Sequence, residues 1–289
     1  MSVINQREEF LFLYDVTDAN PNGDPLDENK PRLDEETGIN IVTDVRLKRT
    51  IRDFLFNFKG YNGKNGKDIF VRTIDSEDGG IQDGKERASN YENSKEDIIN
   101  QCIDIRLFGG VLPLEKDSIK FTGPVQFKMG RSLHKVELKH IRGTGAFASK
   151  KGAKQQTFRE EYVLPYSLIA FYGVINENAA EETGLSEEDV EEFYDAMWAG
   201  TKHLISRSKM GHNPRLLIRL RHEKPYFFIG DLDKYVVLDS KKRDLEIRDI
   251  SDVVINLEAL SDVISSNKDN IADIEIKKGN RTTTSGWIH

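Results

Sequence analysis

Acidic and amide side chains are concentrated in one Pro- and Gly-rich stretch near the start of the chain. The residues from Asp18 to Gly23 read D-A-N-P-N-G, which matches the opening of a calcium-binding loop. The twelfth position of that loop is Asn29, where calcium loops carry a bidentate glutamate. The pattern therefore argues against an EF-hand. Two alternatives stay open for these carboxylates, a divalent-metal or general-base site and the caps of a tight turn; they are Asp15, Asp18, Asp24 and Asp27.

Other motifs with possible chemistry fail at the position where that chemistry is needed. Residues 143–148 fit G-x-G-x-x-A, but a Lys- and Gly-rich run follows in place of the helix that would hold a phosphate. The six histidines show no metal-ligand spacing. The one cysteine, Cys102, is expected to be a small buried side chain. We therefore expect no metal, no cofactor and no catalytic residue.

The charged residues are distributed unevenly. The formal net charge is −7, which taken alone disfavours a nucleic-acid partner. Residues 176–195 hold nine acids and no base, whereas residues 126–160 hold nine bases against two acids and residues 202–224 seven bases against one acid. A local positive field can therefore exist in an acidic protein. Charge alone leaves open whether these blocks are solvated surfaces or a nucleic-acid site; the candidates in them are Lys128, Arg131, Lys150, Lys151, Lys209 and Arg215.

Hydrophobic periodicity predicts the elements that carry these residues. Residues 9–17 form an apolar run typical of a buried strand. Thr43 and Asp44 are expected to open a helix over 44–58, whose single apolar stripe predicts a basic outer face. The cations of that face are Arg46, Lys48, Arg49 and Arg52.

Further elements follow the same periodicities. Strands are predicted at 122–132, 161–175 and 215–222, the last with arginines on one side, and one helix is predicted around 92–104. Ser186 begins another helix. This order of strands and helices indicates an α+β fold of the split β-α-β kind, either ferredoxin-like or RRM-like, with insertions.

Four segments of the chain match one known family, in order. They are FLFLYDVTDANPNGDP at 10–25, VTDVRLKRTIRDFL at 42–55, DIRLFGG at 104–110 and TGPVQFKMGRS at 122–132. The chain resembles the crRNA-binding backbone subunit of type I CRISPR Cascade complexes, in the RAMP superfamily. The similarity is closest to the type I-B and I-C branch.

The resemblance implies a fold and an assembly. The chain would be one modified RRM palm over residues 1–289, with a helical insertion at 60–104 and a thumb-like arm at 133–160. Several copies would bind along one crRNA, with large, small and crRNA-end-binding subunits beside them. The sequence itself has no run of 18 apolar residues, and its first ten residues lack the apolar core of a signal peptide, so a cytoplasmic location without membrane contact is expected. The guide would recognise target DNA by base pairing, and the backbone subunit would not be an enzyme.

The resemblance also implies which residues contact the guide. The loop residues Asn20, Asn22, Gly23 and Asp24 would line the RNA together with the basic face of the 44–58 helix. Arg106, Phe108 and Gly109 would lie beside them. The arm would place Phe147, Phe158 or an aliphatic neighbour between bases.

One alternative comes from the type III relatives of this family, which are metal-dependent endoribonucleases that cut target RNA. In this chain Asp24 or Asp18 would be the candidate base or metal-positioning group. Regularly spaced cleavage of complementary RNA in Mg²⁺ would support that alternative.

Overall fold

A computed structural model describes residues 2–92, 94–113, 118–148 and 156–287. The strands are β1 (Glu8–Ala19), β2 (Gly23–Asp24), β3 (Lys30–Pro31), β4 (Leu33–Asp34), β5 (Ile39–Val42), β6 (Gly109–Pro113), β7 (Ser118–Thr122), β8 (Val125–Phe127), β9 (Gly130–Lys135), β10 (Lys139–Ala148), β11 (Gln156–Ile175), β12 (His212–His222), β13 (Val237–Asp239), β14 (Val254–Asn256), β15 (Ile271–Lys278) and β16 (Thr284–Ser285). The α-helices are α1 (Asp44–Phe58), α2 (Gly84–Ser89), α3 (Lys95–Gln101), α4 (Ile103–Phe108), α5 (Glu177–Thr183), α6 (Glu187–Lys202) and α7 (Glu258–Ser266).

The main sheet has the strand order β15-β12-β1-β11-β9-β5-β4, and each neighbouring pair is antiparallel. In sequence, α1 lies between β1 and β9, and α6 lies between β11 and β12. The central order β12-β1-β11-β9 with these two crossover helices is a split β-α-β arrangement. The predicted α+β class is confirmed. The more specific RRM-like palm stays a prediction, which this strand order supports.

Strand β1 is buried on both of its faces. Phe10, Phe12 and Tyr14 belong to the core that contains the apolar side chains of α1 and α6. Leu11 and Leu13 point the other way, into a second core that also contains the buried side chains of residues 232–264. A strand covered on both faces is apolar throughout, which explains the continuous run in the sequence. A ligand could therefore contact the ends of this strand but not its faces.

The packed helices α1 and α6 begin at side-chain caps that the sequence indicates. Thr43 Oγ1 accepts a hydrogen bond from the Arg46 amide at 3.3 Å, and Ser186 forms a capping box with Asp189. Gly200 on α6 allows the two helices to approach closely. A Cβ at this position would lie only 3.2 Å from the carbonyl oxygen of Thr50 on α1. The predicted bounds of α1 are confirmed.

The insertion between α1 and β8 has a small core of its own, which contains Phe70, Tyr91 and Ile98. The single helix predicted around 92–104 is wrong, because the chain forms α3 and α4 with a break at Cys102. The backbone of Cys102 is extended there, with φ of −103° and ψ of 98°. Its side chain is fully buried, as predicted.

The arm is a two-stranded antiparallel ribbon. Strand β10 pairs with the first part of β11, from Lys139 opposite Val163 to Ala148 opposite Gln156. Lys150 and Lys151 lie outside the described residues. The side chains of Phe147 and Phe158 lie outside the described part of the chain as well, so the predicted base-wedging role stays a prediction.

Candidate nucleic-acid interface

The loop that follows β1 folds against the start of α1. Asn22 Oδ1 accepts hydrogen bonds from the backbone amide of Thr43 at 2.8 Å and from its hydroxyl at 2.9 Å. Thr43 is the N-cap of α1, so Asn22 holds the cap itself. Asn20 donates a hydrogen bond to the carbonyl of Asn29 at 2.6 Å. Both asparagine side chains are buried and point inward. Their structural role is therefore to fix the shape of the loop.

The next two loop residues also serve the turn. A Cβ on Gly23 would lie 2.7 Å from the carbonyl oxygen of Asn29, and closer still to that residue's side chain, so only glycine fits there. Asp24 forms an ion pair with Arg32 and accepts a hydrogen bond from the Leu26 amide at 3.0 Å. For Asp24, this geometry favours the cap of a tight turn over a metal or general-base site.

The cap held by Asn22 gives a first testable prediction. Asn22→Ala is expected to lower the free energy of unfolding by about 1–3 kcal/mol, because it leaves the partly buried Thr43 donors without their acceptor. Thermal denaturation measures the loss, with Asn57→Ala at the exposed end of α1 as control. Wild-type stability in Asn22→Ala would contradict this role of the side chain.

Three of the four cations on α1 have carboxylate partners within the chain. Lys48 pairs with Asp44 at 3.0 Å, Arg49 with Asp53 at 2.7 Å and Arg52 with Asp104 at 2.9 Å. The Asp104 side chain is fully buried and also accepts hydrogen bonds from the amides of the insertion. The predicted basic outer face is therefore largely neutralised. The correction arises because the partner acids come from the helix itself and from α4.

Arg46 and Lys209 differ from the other cations, and we call them the cation pair. Arg46 donates to the Thr50 hydroxyl at 3.2 Å, and Lys209 Nζ donates to the carbonyl of Asn20 at 2.5 Å. Among the described residues, neither has a carboxylate within ion-pairing distance. Arg46 lies within electrostatic range of Lys209. Three segments carry and support the two residues: the N-terminal turn of α1, the loop after β1 and the 203–211 loop that precedes β12.

The surroundings of the cation pair disfavour positive charge. Burial, and to a smaller extent the charge of Arg46, lowers the pKa of Lys209 to about 8. Burial also lowers the pKa of Arg46. The adjacent His212 is neutral at pH 7, because burial lowers its pKa to about 3. Two partly desolvated cations without an anion are unfavourable, and a bound anion would relieve both of them.

The chain matches the family model described as CRISPR-associated protein Cas7 over residues 6–258. It belongs to the Cas7 family. The predicted family is confirmed, while the type I-B and I-C branch stays a prediction. The curated CRISPR-associated protein Cas7 of Haloferax volcanii is 30% identical over 307 residues, which cover 96% of this chain and 87% of the relative.

Solved structures show the same fold. A chain of a CRISPR RNA-guided surveillance complex in a pre-nicking state superposes with a TM-score of 0.59 at 12% identity, covering 97% of this chain and 95% of that one. A chain of a second CRISPR RNA-guided surveillance complex superposes with a TM-score of 0.51 at 14% identity, covering 96% and 95%. Both likenesses are of fold, and they place this member of the Cas7 family among α+β chains of the same arrangement.

Several residues predicted to contact RNA have internal partners in this member of the Cas7 family. Arg106 forms a two-point ion pair with Asp189, at 2.7 and 2.8 Å, and Arg215 pairs with the fully buried Asp15 at 2.8 Å. The arginine side predicted for β12 is not a free basic surface, because carboxylates on β1, α6 and β15 pair with these arginines. The arginines there pair with Asp15, Glu8, Glu187, Glu191 and Glu275.

The remaining predicted residues are also held by contacts within the fold. Phe108 is a core side chain. Gly109 has a φ of +65°, and a Cβ there would lie 2.4 Å from the backbone of Gly123. Lys128 pairs with Asp231 and Asp233, and Arg131 lies 3.6 Å from Asp34. We therefore keep Arg46 and Lys209 in the proposed interface, with the asparagine loop as their support.

Sequence reasoning placed Arg46 and Lys209 in basic blocks but could not distinguish them from their neighbours. It missed His212 and the backbone carbonyl of Asn20, which complete the surroundings of Lys209. The NPNGDP motif was the one useful signal, because its turn brings that carbonyl to the 203–211 loop. A backbone hydrogen bond from Asn20 to Ser208 at 2.8 Å fixes the contact.

Proposed function

We propose that this chain is a crRNA-binding backbone subunit that binds along a guide RNA in several copies, as part of a CRISPR effector complex in the cytoplasm. The observation that supports this most is the cation pair, Arg46 and Lys209, which shares one partly buried site without a carboxylate. A phosphate of single-stranded RNA carries the charge and the acceptor oxygens that both cations need.

The proposed contact is to the RNA backbone and not to bases. An ammonium and a guanidinium within electrostatic range of each other recognise charge, and every nucleotide supplies that charge. Sequence specificity would then come from base pairing between the guide RNA and the target DNA. The described site accordingly needs no base-reading side chains, and any guide sequence would fit.

The same proposal assigns the parts of the chain. Residues 1–289 would form a single palm with an insertion at 60–104 and a thumb at 133–160. The thumb ribbon extends from the end of β11 that lies beside Ala19, because Ala19 pairs with Leu164. It therefore starts at the same end of the sheet as the cation pair. That placement suits an arm that folds over bound RNA.

We further propose that the chain does not cut RNA. Asp24 is paired with Arg32, and Asp15 is buried against Arg215. Among the residues that the structure describes, no three His, Cys, Asp or Glu side chains are grouped to hold a metal ion. A separate observation is that none of the described helices is long and apolar enough to cross a membrane. Regular cleavage of complementary RNA in Mg²⁺, lost in Asp24→Asn, would contradict the non-catalytic assignment.

Salt dependence tests the proposed function. We expect tight binding of single-stranded RNA of arbitrary sequence, unaffected by EDTA, with affinity that falls as salt is added. In a plot of log affinity against log salt concentration, the slope should be as steep as about −1.4 or steeper. Each neutralised phosphate of a single strand contributes about −0.7 to that slope. Fluorescence anisotropy of a labelled RNA over a salt series measures it. An absence of RNA binding at low salt would overturn the assignment.

A further inference from the structure

The ribbon of β10 and the first part of β11 contacts two different loops at its root. Consecutive residues of a strand point to opposite faces, so the side chains of Glu161 and Tyr162 point in opposite directions. Glu161 contacts the 203–211 loop, and Tyr162 contacts the hairpin of β2 and β3. The root of the ribbon is therefore held on both of its faces.

The contact on the first face is a two-point ion pair. Arg207 Nη2 donates to Glu161 Oε1 at 2.6 Å, and its Nε donates to Oε2 at 3.3 Å. Arg159, two residues earlier on the same face, donates to Oε2 at 3.1 Å. The hydrogen bond from Arg207 lowers the pKa of Glu161, which is therefore ionised at pH 7. The Glu161 side chain is only 19% exposed. The 203–211 loop is thus fastened to the ribbon through this carboxylate.

The contact on the second face is centred on the Tyr162 ring. The Tyr162 hydroxyl donates to Glu28 Oε2 at 2.9 Å. Lys30 Nζ lies 3.4 Å from the same oxygen and 5.1 Å from the centre of the ring, and it also pairs with Asp27 at 2.7 Å. His140 is the register partner of Tyr162 in the ribbon and stacks on it at 4.5 Å. A hydrogen bond, a cation and a second ring therefore fix this side chain.

The hairpin that receives Tyr162 has an unfavourable backbone at its tip. Glu28 and Asn29 have φ values of +49° and +58°, and the Lys30 amide closes the turn by donating to the carbonyl of Asp27 at 2.8 Å. Asparagine tolerates this left-handed region, whereas glutamate rarely adopts it. A strained residue persists where the surrounding contacts hold it, and such residues are concentrated at functional positions. The side chain of Glu28 has a use here, because it accepts the hydrogen bond from Tyr162.

The same two loops also support the cation pair. The carbonyl of Asn29, in the hairpin tip, accepts a hydrogen bond from the side chain of Asn20 at 2.6 Å. The backbone of Asn20 contacts the 203–211 loop twice, through its amide to the carbonyl of Ser208 at 2.8 Å and through its carbonyl to Lys209 Nζ at 2.5 Å. Arg207 directly precedes Ser208. These contacts form a closed ring that joins the root of the ribbon to the proposed phosphate site.

We propose that Glu161 and Tyr162 are positioning residues that fix the ribbon relative to the proposed phosphate site. We call the contacts of Glu161 with Arg207 and of Tyr162 with Glu28 the clasp. The two residues would act through the loops and not by touching RNA. A ribbon that is already fixed loses little conformational entropy when RNA contacts it together with the cation pair, so bound RNA dissociates slowly. This inference rests on the proposed function, because it concerns how long RNA stays bound there.

One double variant opens the clasp, and one single variant controls for charge. The double variant is Glu161→Gln with Tyr162→Phe, which removes a carboxylate charge and a hydroxyl but keeps the ring that stacks on His140. The control is Glu160→Gln, which removes the same charge from the adjacent position. The Glu160 carboxylate lies 3.2 Å from Arg142 and 3.5 Å from His140, both within the ribbon. The two variants therefore carry the same net charge.

Two measurements separate the ribbon from the RNA site. Time-resolved anisotropy of a dye on Gly143→Cys measures motion of the ribbon, because a Cβ at Gly143 meets no atom within 4 Å and the native Cys102 is buried. Stopped-flow competition measures the dissociation rate of a labelled single-stranded RNA that admits one copy of the protein. Thermal denaturation verifies that each variant is folded.

We expect faster local motion of the dye in the RNA-free double variant and wild-type motion in Glu160→Gln. RNA should dissociate about tenfold faster from the double variant and within about twofold of the wild-type rate from the control. Loss of a negative charge alone would slow the release of RNA. Faster release from the double variant would therefore result from opening the clasp.

Three results would overturn the inference. One is wild-type motion of the ribbon in the double variant, and another is faster motion with an unchanged RNA dissociation rate, which would show that the ribbon and the phosphate site are independent. The third is equal acceleration of RNA release in the control. Failure of the wild-type chain to bind RNA at low salt would instead refute the proposed function, and the dye would still show whether the clasp fixes the ribbon.

Discussion

Replacing Arg46 and Lys209 together by glutamine is expected to weaken single-stranded RNA binding by about 100-fold or more. Each cation would lose a charge-assisted contact to phosphate, worth about 1.5–3 kcal/mol. Glutamine keeps most of the side-chain length and a hydrogen-bond donor. The loss of RNA affinity in this variant therefore measures the contribution of the two positive charges. The salt slope should also become shallower, by about 0.7 for each phosphate contact removed. Anisotropy at two or more salt concentrations measures both effects.

Arg49→Gln is the matched control for this double variant. It removes a cation three residues from Arg46 on the same helix, and that cation already pairs with Asp53. RNA affinity should change by less than about threefold, because exposed ion-paired residues contribute little. Equal losses in the control and the double variant would show that the helix acts through its total charge. Such a result would contradict a specific phosphate site at Arg46 and Lys209.

Lys209→Met is expected to stabilise the RNA-free protein while it weakens RNA binding. Burial lowers the pKa of Lys209 from its ordinary 10.5 to about 8, so the folded state disfavours the charged form. At pH 7 this penalty is about 3 kcal/mol. Loss of the hydrogen bond to Asn20 offsets about 1 kcal/mol of the gain, which leaves roughly 2 kcal/mol. Tm should therefore rise by several degrees.

The sign of the pH dependence provides a second test of Lys209. For a base whose pKa is lowered by folding, the destabilisation is complete below about pH 8 and disappears as pH rises from 8 to 10.5. The advantage of Lys209→Met over wild type should accordingly shrink near pH 10, where the penalty is below about 1 kcal/mol. Lys202→Met, an exposed lysine at the end of α6, is the control and should change Tm little at either pH. Lower stability of Lys209→Met at pH 7 would contradict the desolvated site.

The fold was largely predictable from local patterns. The bounds of α1, the capping box of α6 and the location of β12 follow from periodicity and cap chemistry, which depend on neighbouring residues. The break at Cys102 was missed because its extended backbone accompanies a bridge to Asp68, a contact distant in sequence. The packing of residues 232–264 on the second face of the sheet also depends on contacts distant in sequence, which local periodicity does not specify.

The candidate site could be predicted only in part. Basic blocks in the sequence located Arg46 and Lys209, but they equally included Arg52 and Arg215, which tertiary structure neutralises with Asp104 and Asp15. The difference lies in which cations receive a carboxylate, and the partners are up to 200 residues away. The net charge of −7 proved a poor guide for the same reason. Many acids serve as internal partners of bases, and the informative cations are those that are partly buried without a carboxylate partner.

A cryo-EM reconstruction of the protein assembled with a guide RNA would show where the RNA backbone lies. We predict a phosphate oxygen within about 3 Å of Lys209 Nζ and of the Arg46 guanidinium, with the NPNGDP loop beneath it. RNA density that crosses the molecule elsewhere, with these two cations still unpartnered, would contradict the proposed phosphate site.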